Sequence, residues 1–324
     1  MDIYVKKAII HQFSPDDTDL YLADKFLNIT PKIEEYLRKK IERVYSDEAR
    51  TGIFEEDNPF LELISDDLLE SSVAVANRWK EEFVVSENQK TNDLIFVDFS
   101  KEGVDHFAFL RIALRETLTH LGGEVDNPIK LTQNNLPGFG TGADEALVIN
   151  LQSRKYHLIE KRIKYNGTFL NYFSENLLQA QPKISPKKSI KALEKTAQRI
   201  AESFNTDDFQ FQSKVKSAIF NHIEEENKLS PEKLADDLFD DNLTARLSFI
   251  DQVKEAVPEP VTFEEIDASR QLKKFENQKL SLSNGIELIV PNNVYEDAES
   301  VEFILNENGT YSILIKNIED IQSK

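Results

Sequence analysis

Five strand-like apolar runs follow one another at 93–99, 106–114, 117–121, 146–151 and 156–160, with no helical period between them. Parallel strands need a crossover of about a dozen residues or more, usually a helix. The succession therefore excludes a βαβ sheet and predicts an antiparallel one. Gly103 and Gly122-Gly123 punctuate the first three runs, and the short Ser153-Arg154-Lys155 link makes the last two neighbours. A further β-branched strand is expected at 3–13, broken by Ser14-Pro15-Asp16-Asp17, with Leu20-Tyr21-Leu22 pairing back. Helices interrupt this pattern before residue 90. Thr30-Pro31 supplies an N-cap and a first helical position for a helix carrying Ile33, Tyr36, Leu37, Ile41, Val44 and Tyr45. Asn58-Pro59 opens a second helical stretch, and 67–85 reads as a longer amphipathic helix around Trp79, the single tryptophan.

Near residue 180 the period changes. The connector from Gln179 to Pro186 holds two prolines, which disfavour a continuous helix. Helix starts then recur at Ser185-Pro186, Thr206-Asp207-Asp208 and Ser230-Pro231, and a fourth helix at 243–257 stops before Pro258 and Pro260. Asn284-Gly285 and Asn308-Gly309, each between apolar runs, predict two hairpins. The expected fold class is α+β. A sheet with packed helices spans 1–180; residues 181–324 comprise a helical block (185–257) and C-terminal β-hairpins (258–324).

The chain has no cysteine, which excludes disulfide scaffolds, thiolate zinc sites, iron–sulfur clusters and cysteine nucleophiles. No uncharged apolar run approaches the length of a membrane span, and no secretory leader is read at the start, so a cytoplasmic protein is expected. No cofactor is expected.

Charge is the main clue to function. The 324 residues carry a net charge of −19, yet residues 151–200 hold eleven basic side chains against three acidic ones, a local +8. Within 187–195, Lys187, Lys188, Lys191 and Lys195 fall along one stripe of a helix. Lys155, Lys161, Arg162 and Lys164 form a second set; on a continuous strand Lys155 and Lys161 share one parity, Arg162 and Lys164 the other. Tyr156, Tyr165, Phe169, Tyr172 and Phe173 interleave with these charges. Cations neutralise phosphates and exposed rings stack on unpaired bases, although the i, i+4 spacing of Phe169 and Phe173 favours a core role for both.

Signals for catalysis are weak. The histidines at 11, 106, 120, 157 and 222 form no metal-ligand spacing; three lie in strand patterns, and His222 is expected on a solvated face beside Glu224-Glu225-Glu226. Pro137-Gly138-Phe139-Gly140-Thr141-Gly142 lacks the Gly-Lys-Ser/Thr of a phosphate loop and leads into Ala143-Asp144-Glu145, so it reads as a mobile connector. A magnesium nuclease would enlist Asp144 and Glu160, but Lys161 is adjacent to Glu160 and so points to the opposite face of a strand.

Several passages in order resemble the bacterial 37-kDa nucleoid-associated protein family (the NdpA/YejK type). They are Lys7-Ala8-Ile9-Ile10-His11-Gln12-Phe13, Ile41-Glu42-Arg43-Val44-Tyr45 leading to Gly52-Ile53-Phe54, and the aromatic strand pair at 94–114. The run from Ala143 to Leu151 followed by Ile159-Glu160-Lys161, then Val261-Thr262-Phe263 and Gly285-Ile286-Glu287-Leu288, extend the resemblance over nearly the full chain. It implies a cytoplasmic, nucleoid-associated protein with DNA as partner and no established enzymatic activity, and it transfers no catalytic residues. The expectation is a non-enzymatic protein that binds chromosomal DNA without sequence preference through Lys187, Lys188, Lys191 and Lys195, with Lys155, Lys161, Arg162 and Lys164. An acidic adaptor held by DNA-processing proteins is the alternative, and a metal-dependent nuclease the third reading. A homodimer is expected from the exposed hairpin edges.

Overall fold

A strand that is apolar at successive positions must be covered on both faces, and the sheet of the N-terminal half is built that way. The computed structural model describes residues 2–85, 90–120, 129–165, 167–205, 209–263, 266 and 268–322. Two units separate, residues 1–185 and 186–324. The fold is α+β.

In the first unit, β1 (Ile3–Ser14), β2 (Asp19–Tyr21), α1 (Pro31–Glu42), β3 (Arg50–Ile53), α2 (Leu68–Phe83), β4 (Asn92–Lys101) and β5 (Val104–Ala113) come first. Then follow β6 (Arg115–His120), β7 (Ile129–Asn135), β8 (Glu145–Asn150), β9 (Lys155–Ile159), β10 (Ile163–Tyr165) and β11 (Thr168–Leu170). Seven strands make one sheet in the order β2-β1-β4-β5-β8-β9-β3, and every neighbour is antiparallel. Alternate residues of the same strands serve different layers. Leu94, Phe96, Phe107, Phe109 and Leu147 face the cluster built on Val75, Ala76, Trp79 and Phe83 of α2. Ile95, Val97, Ala108, Leu110 and Val148 face Leu37 and Ile41 of α1, with Val44 and Tyr45 just beyond it. A register shift between Val5 and Lys7 lets Ile3 and Val5 share the α1 side with Ala8, while Ile9 and Phe13 serve the other.

The Thr30 cap acts as the sequence predicts, and Asp67 adds a cap that was not expected. Thr30 accepts the Ile33 amide at the start of α1, and Asp67 accepts the Leu69 amide at the start of α2. Asn58 does something else. Its side chain accepts the Phe60 amide and donates to the Leu178 and Gln179 carbonyls, so it works as a buried anchor, and only a 3₁₀ turn, Leu61–Leu63, follows. Gly52 is required by a close approach: a Cβ there would lie 2.3 Å from the Tyr156 hydroxyl on the facing strand.

The core of this unit contains a charge. Arg111 on β5 and Glu145 on β8 are register partners, both buried, with Nε donating to the carboxylate at 2.6 Å. Arg111 also donates to Asn92 of β4 at 2.8 Å. Tyr172 donates its hydroxyl to Glu145, and the Trp79 indole donates to Tyr172 at 3.0 Å. His11 makes a second tie: its Nδ1 accepts the Ala23 amide at 3.1 Å, so Nε2 carries the proton and donates to Ser72 of α2 at 2.9 Å. Burial pushes the His11 imidazole down to about 4.

The second unit is mainly helical. It contains α3 (Pro186–Ser203), α4 (Phe209–Glu226), β12 (Lys228–Leu229), α5 (Pro231–Leu238), α6 (Leu243–Lys254), β13 (Val261–Thr262) and α7 (Ser269–Phe275). The hairpin strands β14 (Asn277–Ser281) and β15 (Glu287–Pro291), α8 (Asn292–Tyr295), β16 (Val301–Leu305) and β17 (Tyr311–Ile315) complete it. Leu193, Ile219, Leu234 and Phe249, one from each of α3 to α6, meet in its core. Ser230 and Asn242 cap α5 and α6 through side-chain oxygens. Gly285 and Gly309 turn the hairpins at positive φ (87° and 79°). The expected cap at Thr206-Asp207-Asp208 and the Gly122-Gly123 turn lie outside the described residues.

Two measurements test this core. Replacing Glu145 with Ala strands a buried guanidinium and should cost about 3–5 kcal/mol in urea unfolding, while Arg111→Met with Glu145→Leu should recover most of that loss. For His11, the folded-state pKa lies below the unfolded value near 6.5, so the unfolded chain binds the extra proton first. Its contribution is therefore intact above that value and is lost as pH falls toward 4. Between pH 7 and pH 5 the wild type should lose about 2 kcal/mol more than His11→Gln.

Candidate nucleic-acid interface

Helix α3 has two unlike faces. Ile190, Leu193, Ala197 and Ile200 are buried in the second unit's core. Lys187, Lys188, Lys191 and Lys195 are all exposed, and at about 100° per residue they span an arc of roughly 100°, with exposed Arg199 at its margin. Arg199 is held by Gln252 of α6 at 2.5 Å. Among the described residues, no ion pair engages Lys188, Lys191 or Lys195. Glu194 sits about 20° beyond the Lys187 edge of the arc, as Arg199 does beyond the Lys188 edge, and pairs with Lys274 at 3.6 Å.

The other basic set is in the first unit, and most of it is already committed. The chain is not one strand from 155 to 164: β9 ends at Ile159 and β10 begins at Ile163, so the parity expected for a continuous strand does not carry across. Lys155 starts β9 and Lys164 lies in β10, both exposed. Lys161 pairs with Asp144 at 2.8 Å, Arg162 donates to the Phe169 carbonyl at 2.6 Å, and Arg154 pairs with Glu56 at 3.3 Å. Of the interleaved rings, Tyr156, Tyr172 and Phe173 are buried. Phe169, which the spacing predicts in the core, is 56% exposed. The helical spacing misleads there because Phe169 sits in β11, before the helical turn Phe173–Leu177 begins.

The carboxylates considered for metal chemistry have separate partners. Glu160 is bound by Arg50 and by the Ser174 amide and hydroxyl; burial pushes its carboxyl up against these bonds. Burial also pushes Asp144 up, but the Lys161 and Ala113 hydrogen bonds outweigh it and the net direction is down. Among the described residues, no three histidines or carboxylates gather as a metal site would require. His222, expected on a solvated face, is largely covered and bonded to Asp237 of α5 at 2.7 Å.

The 137–142 loop is anchored, contrary to the mobile connector the sequence predicts. Lys40 of α1 is fully buried and donates to the carbonyls of Gly138 (2.9 Å), Pro137 (3.4 Å) and Thr141. Its ammonium also sits 4.5 Å over the Tyr36 ring, whose edge meets Phe139. Burial lowers the ammonium to about 8, with Arg43 and Arg115 adding repulsion against Asp144. The loop's carbonyls face a lysine of the chain itself.

Against this geometry, the family described as nucleoid-associated protein YejK (NA37) matches residues 9–321, a span that runs through both units. The chain belongs to this family. No curated protein matches it. Membership in the YejK family agrees with the resemblance carried by the 7–13, 41–54 and 143–161 passages, and its description associates the family with the nucleoid. Among the described residues, no helix is long and apolar enough to cross a membrane.

Lys40→Met should cost about 1–3 kcal/mol in urea unfolding, because it leaves loop carbonyls without their donor. Protease cleavage at 137–142 should rise in the same variant, while the α3 arc keeps its exposure.

Proposed function

We propose that this member of the YejK family binds chromosomal DNA without sequence preference and without chemistry, through the α3 arc of Lys187, Lys188, Lys191 and Lys195. The observation that carries this reading is that arc: exposed lysines on one side of a helix whose other side is anchored in a core. A rigid row of ammonium groups offers phosphates point charges and presents no fork or planar edge to read bases. Lys155, Lys161, Arg162 and Lys164 form a subordinate set, since Lys161 and Arg162 must leave existing partners to reach a phosphate. The remaining sequence carries −27 against the +8 of 151–200 and repels a polyanion elsewhere.

A gel-shift and a salt titration on duplex DNA test this. Four phosphate contacts give a log–log slope of about −3.6, and K191E/K195E should lower its magnitude by about 1.8. K228E/K279E is the control matched in charge, preferable to Lys274, which pairs with Glu194 of α3. Equal loss in both variants would reduce the effect to bulk charge. Unchanged binding in K191E/K195E would move the contact away from the arc, and a wild-type chain that shifts no duplex would favour the adaptor reading, in which DNA-processing proteins carry the chain to the nucleoid.

A further inference from the structure

The hairpin of β10 and β11 has one face in the core and the other in solvent. Its register is Ile163↔Leu170, Lys164↔Phe169 and Tyr165↔Thr168, and Gly167 takes positive φ (82°) in the turn. Ile163 is buried in the cluster built around Trp79, and Leu170 packs against the same cluster. Alternation therefore turns Lys164 and Phe169 to the outer face, where Lys164 is exposed and the Phe169 ring is 56% open. A ring so placed has no part in the core. Among the described residues, no other ring and no cation stacks on it.

The charge around this ring is of one sign. From Lys161 to Ser174 the sequence holds Lys161, Arg162 and Lys164 and no acid. Arg162 donates to the Phe169 carbonyl at 2.6 Å, which keeps a guanidinium beside the ring's own strand. Lys164 is the cross-strand partner of Phe169, and such partners have Cβ atoms about 5 Å apart. The acid preceding the segment, Glu160, is covered and bound by Arg50 and Ser174, and Asp144 is held by Lys161. A flat apolar face thus stands within a side chain's length of two cations, on strands whose other face is anchored.

We propose that the outer face of the β10–β11 hairpin is a binding site for single-stranded DNA, with an unpaired base stacked on Phe169 and the adjoining phosphate against Lys164. Two features of the face select that occupant. The ring offers a π-surface that suits any base, but only a base outside a duplex can reach it, because paired bases already cover one another's faces. The cations attract a phosphate and repel a cationic peptide. Neither feature reads base edges, so the site tolerates any sequence. Arg162 keeps its bond to the Phe169 carbonyl and contributes charge, while Lys164 makes the contact. The site draws on the subordinate basic set and needs nothing from the α3 arc.

Fluorescence anisotropy of the full chain with a labelled oligothymidylate, and with an abasic oligomer of the same length and charge, tests this. Stacking of one base should make the wild type bind the thymidine strand about five- to a hundredfold tighter than the abasic one. F169A should bring that ratio close to one, and F169W, which keeps a flat ring, should preserve it. Lys164→Ala should weaken binding of both oligomers and lower the magnitude of the log–log salt slope by about 0.7. Equal affinity of the wild type for the two oligomers overturns the proposal. So does a preference that survives in F169A or disappears in F169W, or a salt slope untouched by Lys164→Ala. Duplex binding and its loss in K191E/K195E bear on the α3 arc alone, so the failure of either reading is visible without the other.

Discussion

The buried pair of Arg111 and Glu145 is the constraint on which the first unit turns. Neither charge reaches water, so each is tolerable only opposite the other. That fixes the register of β5 against β8, because a slip of one residue would put the two side chains on opposite faces and leave each charge unpaired among apolar groups. From the pair the constraint spreads through Asn92 to β4 and through Tyr172 and Trp79 to α2. Helix and sheet are thus joined at a fixed point, not only by apolar contact. Burial pushes the Tyr172 phenol far up, and beside Glu145 it stays a donor throughout the physiological range.

Lys40 applies the same physics at the edge of the sheet. A buried ammonium needs acceptors, and the loop at 137–142 provides three carbonyls. The loop precedes β8, so fixing it sets where Asp144 and Glu145 enter the sheet. Asp144 then accepts from the Ala113 amide while its own amide donates to the Arg111 carbonyl. Two lysines of similar chemistry have opposite duties: Lys40 is consumed by structure, and Lys191 is left in solvent.

Local chemistry explains what was legible. The β-branched and aromatic runs, the Thr30 and Ser230 caps and the Asn-Gly turns all act within a few residues, so the sequence displays them directly. The polar run of β7, with Lys130, Thr132 and Gln133, lacks an apolar alternation on both sides and is recognisable only beside β6. Lys40 has the periodicity of a surface residue, and its burial depends on a loop nearly a hundred positions away. The α3 arc was legible because helix spacing alone fixes it; Phe169 was misplaced because the same spacing was applied where the backbone is extended.

Charge segregation ties these features to the proposed role. A chain of net −19 is repelled by DNA at long range, so contact requires a site where cations are close-set and acids are absent. The α3 arc comes nearest to that condition, because Glu194 at its margin is already engaged by Lys274. The set around Lys161 does not, since Asp144 already satisfies its strongest candidate. With so few cations available, one copy gains little affinity. The lysines of α3 concentrate in one arc the charge that the rest of the chain opposes, which confines the proposed contact to that arc.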